Sequence, residues 1–171
     1  MITINNIIGN LTRDSNLKEK YELMLRKGNC EKVKINRLES QRLRMRKNTD
    51  KGSDVIFVFD HNLQLRHEDV VFSDDEKMII VELEPEYVAI ITLKNYNTNE
   101  DMFSMSIKIG HTLGNLHRPI RVTKNQVYFP LQAETEIEML TKLFSSFSQF
   151  LDFNTDYMVF EPEEGHHIHE H

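Results

Sequence analysis

Six of the eight histidines in this 171-residue chain, His111, His117, His166, His167, His169 and His171, fall in its second half. The last four crowd into the C-terminal six residues. Such a cluster concentrates imidazole nitrogen, the donor that suits Ni²⁺, Cu²⁺ and Zn²⁺. A flexible tail of this kind binds and releases an ion quickly, which fits delivery better than storage. A purification tag would read as an unbroken run, whereas Ile168 and Glu170 interrupt this one.

His117 stands apart from the tail, in the segment Leu113–Gly114–Asn115–Leu116–His117–Arg118–Pro119. Most single histidines at a helix–strand junction cap or pack, and one imidazole holds a metal poorly. Two-fold symmetry changes that count, because a surface residue near a dyad meets its own copy. Two copies of His117 and one tail histidine from each chain supply four nitrogens. His111 lies six residues earlier, without the i, i+4 spacing of a helical metal pair, and reads as structural or solvent-facing. His61 and His67 read as surface residues beside a turn.

Other reactive chemistry is sparse. Cys30 is the only cysteine, which excludes an internal disulfide and a multi-cysteine zinc site. Its neighbours Arg26, Lys27 and Lys32 would lower its pKa. No phosphate loop, nucleophile elbow or HExxH motif occurs. A metal-dependent hydrolase needs ligands and a general base on rigid elements, and here most candidate ligands sit on the tail. The basic run Arg37, Arg42, Arg44, Arg46, Lys47, Lys51 lacks interleaved aromatics for base stacking. It reads as a solvated strand face or a contact for an acidic protein partner.

The charge is unevenly placed. Residues 1–83 carry 15 Lys/Arg against 14 Asp/Glu, whereas residues 84–171 carry 6 against 13. The acidic half attracts cations and disfavours nucleic acid. That weakens the alternative of a nucleic-acid-binding module. No apolar run approaches the roughly 18–20 residues of a membrane span, and Met1–Leu11 lacks a signal-peptide pattern. A cytoplasmic protein without membrane contact is expected.

The elements that must position these residues fall into two rhythms. Residues 1–83 read as a small β-barrel or sandwich. Strands are expected over Ile2–Ile8, around Leu43 and Met45, and over Val55–Phe59, Val70–Phe72 and Met78–Leu83. One helix is expected over Lys18–Lys27, with Tyr21, Met24 and Leu25 on its apolar face. Glu84–Pro85–Glu86 breaks the pattern. Residues 84–160 then alternate strands with two helices: Tyr87–Leu93; a helix capped by Asn97 or Thr98 with Glu100 or Asp101; Pro119–Val122; Gln126–Leu131; a helix opened by Glu134, Glu136 and Glu138; and Tyr157–Phe160. Apolar faces are expected at Met102, Met105, Ile109 and Leu113 in the first of these helices, and at Ile137, Leu140, Phe144 and Phe147 in the second. Gly114–Asn115 fits a helix C-terminus. The order βαββαβ is that of ferredoxin-like domains. The class is therefore α+β, with a flexible His-rich tail over 161–171.

The Gly114–Asn115–Leu116–His117–Arg118–Pro119 segment resembles the GN-x-H-x-P signature of the UreE family, the urease accessory metallochaperones. Arg44 to Gly52 followed by Val55–Phe59, Leu65 through Asp69–Val70–Val71 to Asp74–Asp75, and Phe160–Glu161–Pro162–Glu163 leading into the tail are similar too. The resemblance implies an N-terminal β domain that contacts protein partners and a ferredoxin-like domain that dimerises. It also implies Ni²⁺ held at the dimer interface by paired His117, assisted by His166, His167, His169 and His171. Zn²⁺ or Cu²⁺ would compete. The implied partners are a second copy of the chain, the urease apoprotein complex and an accessory GTPase. Leu116 departs from a usually basic position, no histidine pair occupies Gln126–Leu131, the tail is short, and Glu68 stands where Gly is frequent.

Overall fold

Alternating apolar residues commit much of the chain to strands, and among the described residues the computed structural model places eleven of them with three α-helices in a mixed α+β arrangement. It describes residues 1–60, 63–94 and 98–162. His61, Asn97 and the tail histidines His166, His167, His169 and His171 lie outside these residues. The chain divides into two compact units, Met1–Glu84 and a second beginning at Pro85.

In the first unit, β1 (Ile2–Ile4), β4 (Arg44–Asn48) and β5 (Asp54–Val58) form one sheet in the order β1-β5-β4. A second sheet joins β2 (Gly9–Asn10), β6 (Asp69–Ser73), β7 (Met78–Leu83) and β3 (Cys30–Ile35) in the order β2-β6-β7-β3. The expected Ile2–Ile8 strand is thus two short strands in different sheets. β3 escaped the sequence reading because Glu31, Lys32 and Lys34 interrupt its apolar residues. Glu31 is nevertheless buried, since Lys77 Nζ lies 2.7 Å from its Oε1 and Thr49 Oγ1 donates to Oε2 at 2.6 Å.

Helix α1 (Ser15–Arg26) starts three residues earlier than expected, because Asp14 Oδ1 accepts from the N–H groups of Asn16 and Leu17. It ends at Gly28, whose φ of 75° suits the left-handed turn after a helix. Met24 is buried, with Leu17 and Tyr21 packed beside it. Leu25 is exposed, contrary to expectation, because the buried stripe runs 17, 21, 24. Cys30 is buried in the same cluster. Burial pushes its thiol pKa up despite Lys51, the reverse of the lowering expected from its basic neighbours. His67 is half-buried rather than a surface residue, and its Nδ1 accepts the Leu83 N–H at 3.2 Å.

The second unit runs β8 (Glu86–Leu93), α2 (Asn99–Asn115), β9 (Arg121–Thr123), β10 (Gln126–Pro130), α3 (Glu136–Ser145) and β11 (Leu151–Met158). The sheet is antiparallel throughout, in the order β11-β8-β10-β9. Its core joins Ala89, Ile91, Val127, Phe129 and Leu151 of the sheet to Met105, Ile109 and Leu113 of α2 and Leu140 and Phe144 of α3. Ile137 and Phe147 pack against its margin, while Met102 is half out of the core at 46% exposure. Thr98 caps α2: its Oγ1 accepts the Asp101 N–H and donates to Asp101 Oδ2. The last strand spans Leu151–Met158, not Tyr157–Phe160. Asp152, Asn154 and Asp156 on its exposed side hide the alternation from a search for apolar runs.

Candidate metal centre

The C-terminus of α2 sets the site. Gly114 and Asn115 remain inside the helix, Leu116 is its cap, and His117 occupies the following position with φ 50°. That differs from the expectation that Gly114–Asn115 would end the helix. Left-handed backbone is rare outside glycine, although histidine adopts it more readily than most residues. It costs roughly 1–2 kcal/mol against an ordinary conformation. The His117 N–H donates to the Gly114 carbonyl at 3.1 Å, and the Leu116 N–H to that of Leu113 at 3.0 Å. His117 is exposed.

Both flanks of His117 are fixed. Leu116 packs against the core below the helix, as does Ile120 farther along. Arg118 places Nη2 2.7 Å from Glu136 Oε1 at the start of α3, and its Nη1 and Nε donate to the carbonyls of Pro130 and Leu116. Glu136 Oε2 in turn accepts the Gln132 N–H at 2.8 Å. An exposed imidazole is thereby mounted on backbone anchored from both sides. His111 lies on the exposed side of α2, with Nε2 3.3 Å from Asn115 Nδ2, in keeping with a local structural role. Among the described residues, no three His, Cys, Asp or Glu side chains come together as a metal site. The tail histidines His166, His167, His169 and His171 lie outside those residues, so of the expected ligands His117 alone is located.

The Arg118–Glu136 pair was not singled out in the sequence. Arg118 lies inside the signature segment, but nothing in the spacing of 18 residues announces its partner. Another departure from family habit becomes concrete at Glu68. It has φ 64°, so the turn keeps a glycine-like backbone although a glutamate occupies it. No helix of the described residues is long and apolar enough to cross a membrane.

The fold is that of a two-unit α+β protein, and its first unit resembles a known accessory-protein domain. Residues 4–84 match the model for the N-terminal domain of the UreE urease accessory protein. The chain is 29% identical over 134 residues to the urease accessory protein UreE of Natronomonas pharaonis, covering 78% of this chain and 61% of that one. It is also 29% identical over 139 residues to UreE of Yersinia aldovae, covering 79% and 59%. The chain is thus similar to UreE urease accessory proteins, through its first unit and through relatives that align with most of its length. It spans about three fifths of the length of the relatives it matches.

Proposed function

We propose that this chain is a cytoplasmic nickel metallochaperone that forms a homodimer, binds Ni²⁺ between its two copies and delivers the ion during urease maturation. The observation that carries this reading is the exposed His117, held in left-handed backbone between the anchored residues Leu116 and Arg118. A residue kept in costly backbone at an exposed position suggests a task other than packing. The second unit, with its βαββαβ order and outermost final strand, is read as a ferredoxin-like domain for dimerisation and metal binding. The first unit, Met1–Glu84, is read as the partner-contacting domain.

Three considerations support the remaining parts. One imidazole is too few ligands for a tight site, so a dyad that brings two copies of His117 together supplies a pair. Phe103 and Ile107 lie one turn apart on α2 at 69% and 56% exposure, an apolar strip that a second copy would cover. His166, His167, His169 and His171 then complete the coordination from each chain. Nickel, the urease apoprotein complex and the accessory GTPase are what the resemblance to UreE proteins implies; Zn²⁺ and Cu²⁺ suit the same donors. The protein is read as an accessory carrier and not an enzyme, in line with its similarity to urease accessory proteins.

Calorimetric titration with Ni²⁺, Zn²⁺ and Cu²⁺, alongside light scattering, tests the reading. His117→Ala should abolish the tight ion and leave a folded protein. Deleting Gly165–His171 should lower affinity or stoichiometry yet leave one ion per dimer, because ordering a tail on binding carries an entropic cost. A monomer with and without metal overturns the dimer. Loss of all binding on tail deletion, with His117→Ala unchanged, overturns the interface site.

A further inference from the structure

β11 is the outermost strand of its sheet, and its eight residues pair with β8 in an unbroken register. Edge strands are usually kept short, bulged, proline-bearing or charged, because unpaired amides invite other chains. β9, at the opposite edge, has only three residues and is followed by Lys124 with φ 53°. β11 contains neither proline nor bulge. Charge is its one protective device, and all of it is negative. The hydrogen-bond alternation fixes which groups it turns outward. The Lys94 N–H donates to the Phe150 carbonyl on the β11 side of β8, whereas the Leu93 N–H donates to Asn125 on the β10 side. Even-numbered residues of β11 therefore bond to β8, and the amides of Phe153, Thr155 and Tyr157 point to the outer edge. Among the described residues no strand lies beyond that edge, and the Tyr157 N–H donates instead to its own neighbour, Asp156 Oδ1, at 2.8 Å. Side chains alternate as well. Asp152, Asn154 and Asp156 are exposed on one face. Tyr157, 58% exposed, stands on the other, edge-on to the opposite Tyr87 with ring centroids 5.1 Å apart.

We propose that β11 takes up an extended, basic segment of another protein as a fifth strand of this sheet. The outward amides and carbonyls of Phe153, Thr155 and Tyr157 supply the ladder. An antiparallel newcomer with Lys or Arg opposite Asp152 and Asp156 sets both cations on the acidic face. Its β-branched residues then fall opposite Phe153 and Thr155, on the other face. Asp156 is a placeholder: the incoming carbonyl takes over the Tyr157 N–H, and the released carboxylate turns to the incoming cation. Asp152 already lies 2.9 Å from Lys94, so Asp156 supplies the larger share of the attraction. Charge selects the partner. Residues 84–171 carry 13 Asp/Glu against 6 Lys/Arg, which draws a basic segment and repels acidic segments and nucleic acid. A second copy of β11 is disfavoured, because a two-fold axis normal to the sheet sets both pairs of aspartates on one face. Strand uptake involves neither His117 nor a bound ion.

The test uses the full chain labelled with ¹⁵N, without metal, and the blocked peptide Thr-Lys-Val-Thr-Val-Lys-Thr. Uptake should shift the amide resonances of Phe153, Thr155 and Tyr157 and slow their hydrogen exchange. The amides of Asn154 and Asp156, already bonded to β8, should change little. Asp156→Asn, which keeps an acceptor for the Tyr157 N–H but removes the charge, should weaken binding about fivefold. The same peptide N-methylated at both valines loses its ladder donors while the protein stays untouched, and it should not bind. A peptide with Glu in place of Lys should not bind either. Four results overturn the proposal. Shifts that do not alternate along β11, or equal binding of the N-methylated peptide, exclude a shared ladder. Equal binding of the Glu peptide excludes the basic partner. Protection of the same amides that rises with protein concentration, without peptide, makes a second copy the occupant. Several-fold tighter peptide binding after removal of residues 163–171 makes the chain's own C-terminus the occupant.

Discussion

Arg118 and Glu136 join the end of one helix to the start of the next, with Nη2 and Oε1 2.7 Å apart and both side chains largely covered. Glu136 sits at the N-terminal end of α3, where helix amides favour a negative charge. Removing one partner of a covered pair leaves the other without its counter-charge. Arg118→Ala should therefore lower unfolding free energy by about 2 kcal/mol. It should also weaken Ni²⁺ binding roughly tenfold although His117 is untouched, because the imidazole loses its fixed mounting. Thermal unfolding and nickel calorimetry check the two effects separately; unchanged nickel affinity would show that the pair serves stability alone.

His117 and Glu68 offer a test of backbone strain. Glycine relieves the left-handed penalty at either position but gains freedom in the unfolded chain, so the net stabilisation should be up to about 1 kcal/mol. His117→Gly should raise the melting temperature by about 2–4 °C while abolishing tight metal binding. Glu68→Gly should raise it similarly and leave metal binding alone. His117→Ala should not share the thermal gain, since alanine keeps the strained β-carbon. A lower melting temperature for His117→Gly would count against strain at that position.

Metal binding should weaken as pH falls through the ordinary imidazole range, near 6.5, because a ligating nitrogen must be unprotonated. Carboxylate ligands would hold the ion to about pH 4–5. Titrations at stepped pH distinguish these cases. Tight binding that persists at about pH 5 would rule out a histidine site.

Glu31 predicts acid sensitivity in the first unit. Burial pushes its pKa up, but hydrogen bonds from Lys77, Thr49 and Ser53 and the charge of Lys77 outweigh that effect and hold it at about 2, below the usual 4.5. A carboxyl depressed on folding contributes stability that is fully present above its unfolded pKa and lost as pH falls toward the folded one. The loss should run from about pH 4.5 down to about 2 and amount to at most about 3 kcal/mol. Glu31→Gln should be less stable at neutral pH and show a flatter profile over that interval. Denaturant unfolding at several pH values reads the difference, and parallel profiles for the two proteins would discount this carboxylate.

Much of the second unit was legible because its helices bury regular stripes: Met105, Ile109 and Leu113 recur at helical spacing, and Thr98 with Asp101 marks the start. β3 and β11 were not, because strand assignment from sequence looks for apolar neighbours. Glu31 is buried through a partner 46 positions away, while the polar side of β11 is exposed. His117 could be singled out by type and setting. Its left-handed backbone could not, since Gly114 and Asn115 carry the stronger signal for a helix end and both continue the helix instead.

β8 pairs along its whole length with β11, Glu86 to Leu93 against Met158 to Leu151, and on its other side with β10. The earliest strand of this unit therefore stays incomplete on one side until the latest has been made. By contrast, every strand pairing among the described residues of the first unit is closed by Leu83. On a ribosome, the first unit has all its strands while the second is still being synthesised. The second must keep Val88, Ala89 and Ile91 unprotected across the intervening helices, an interval in which exposed strand edges invite aggregation.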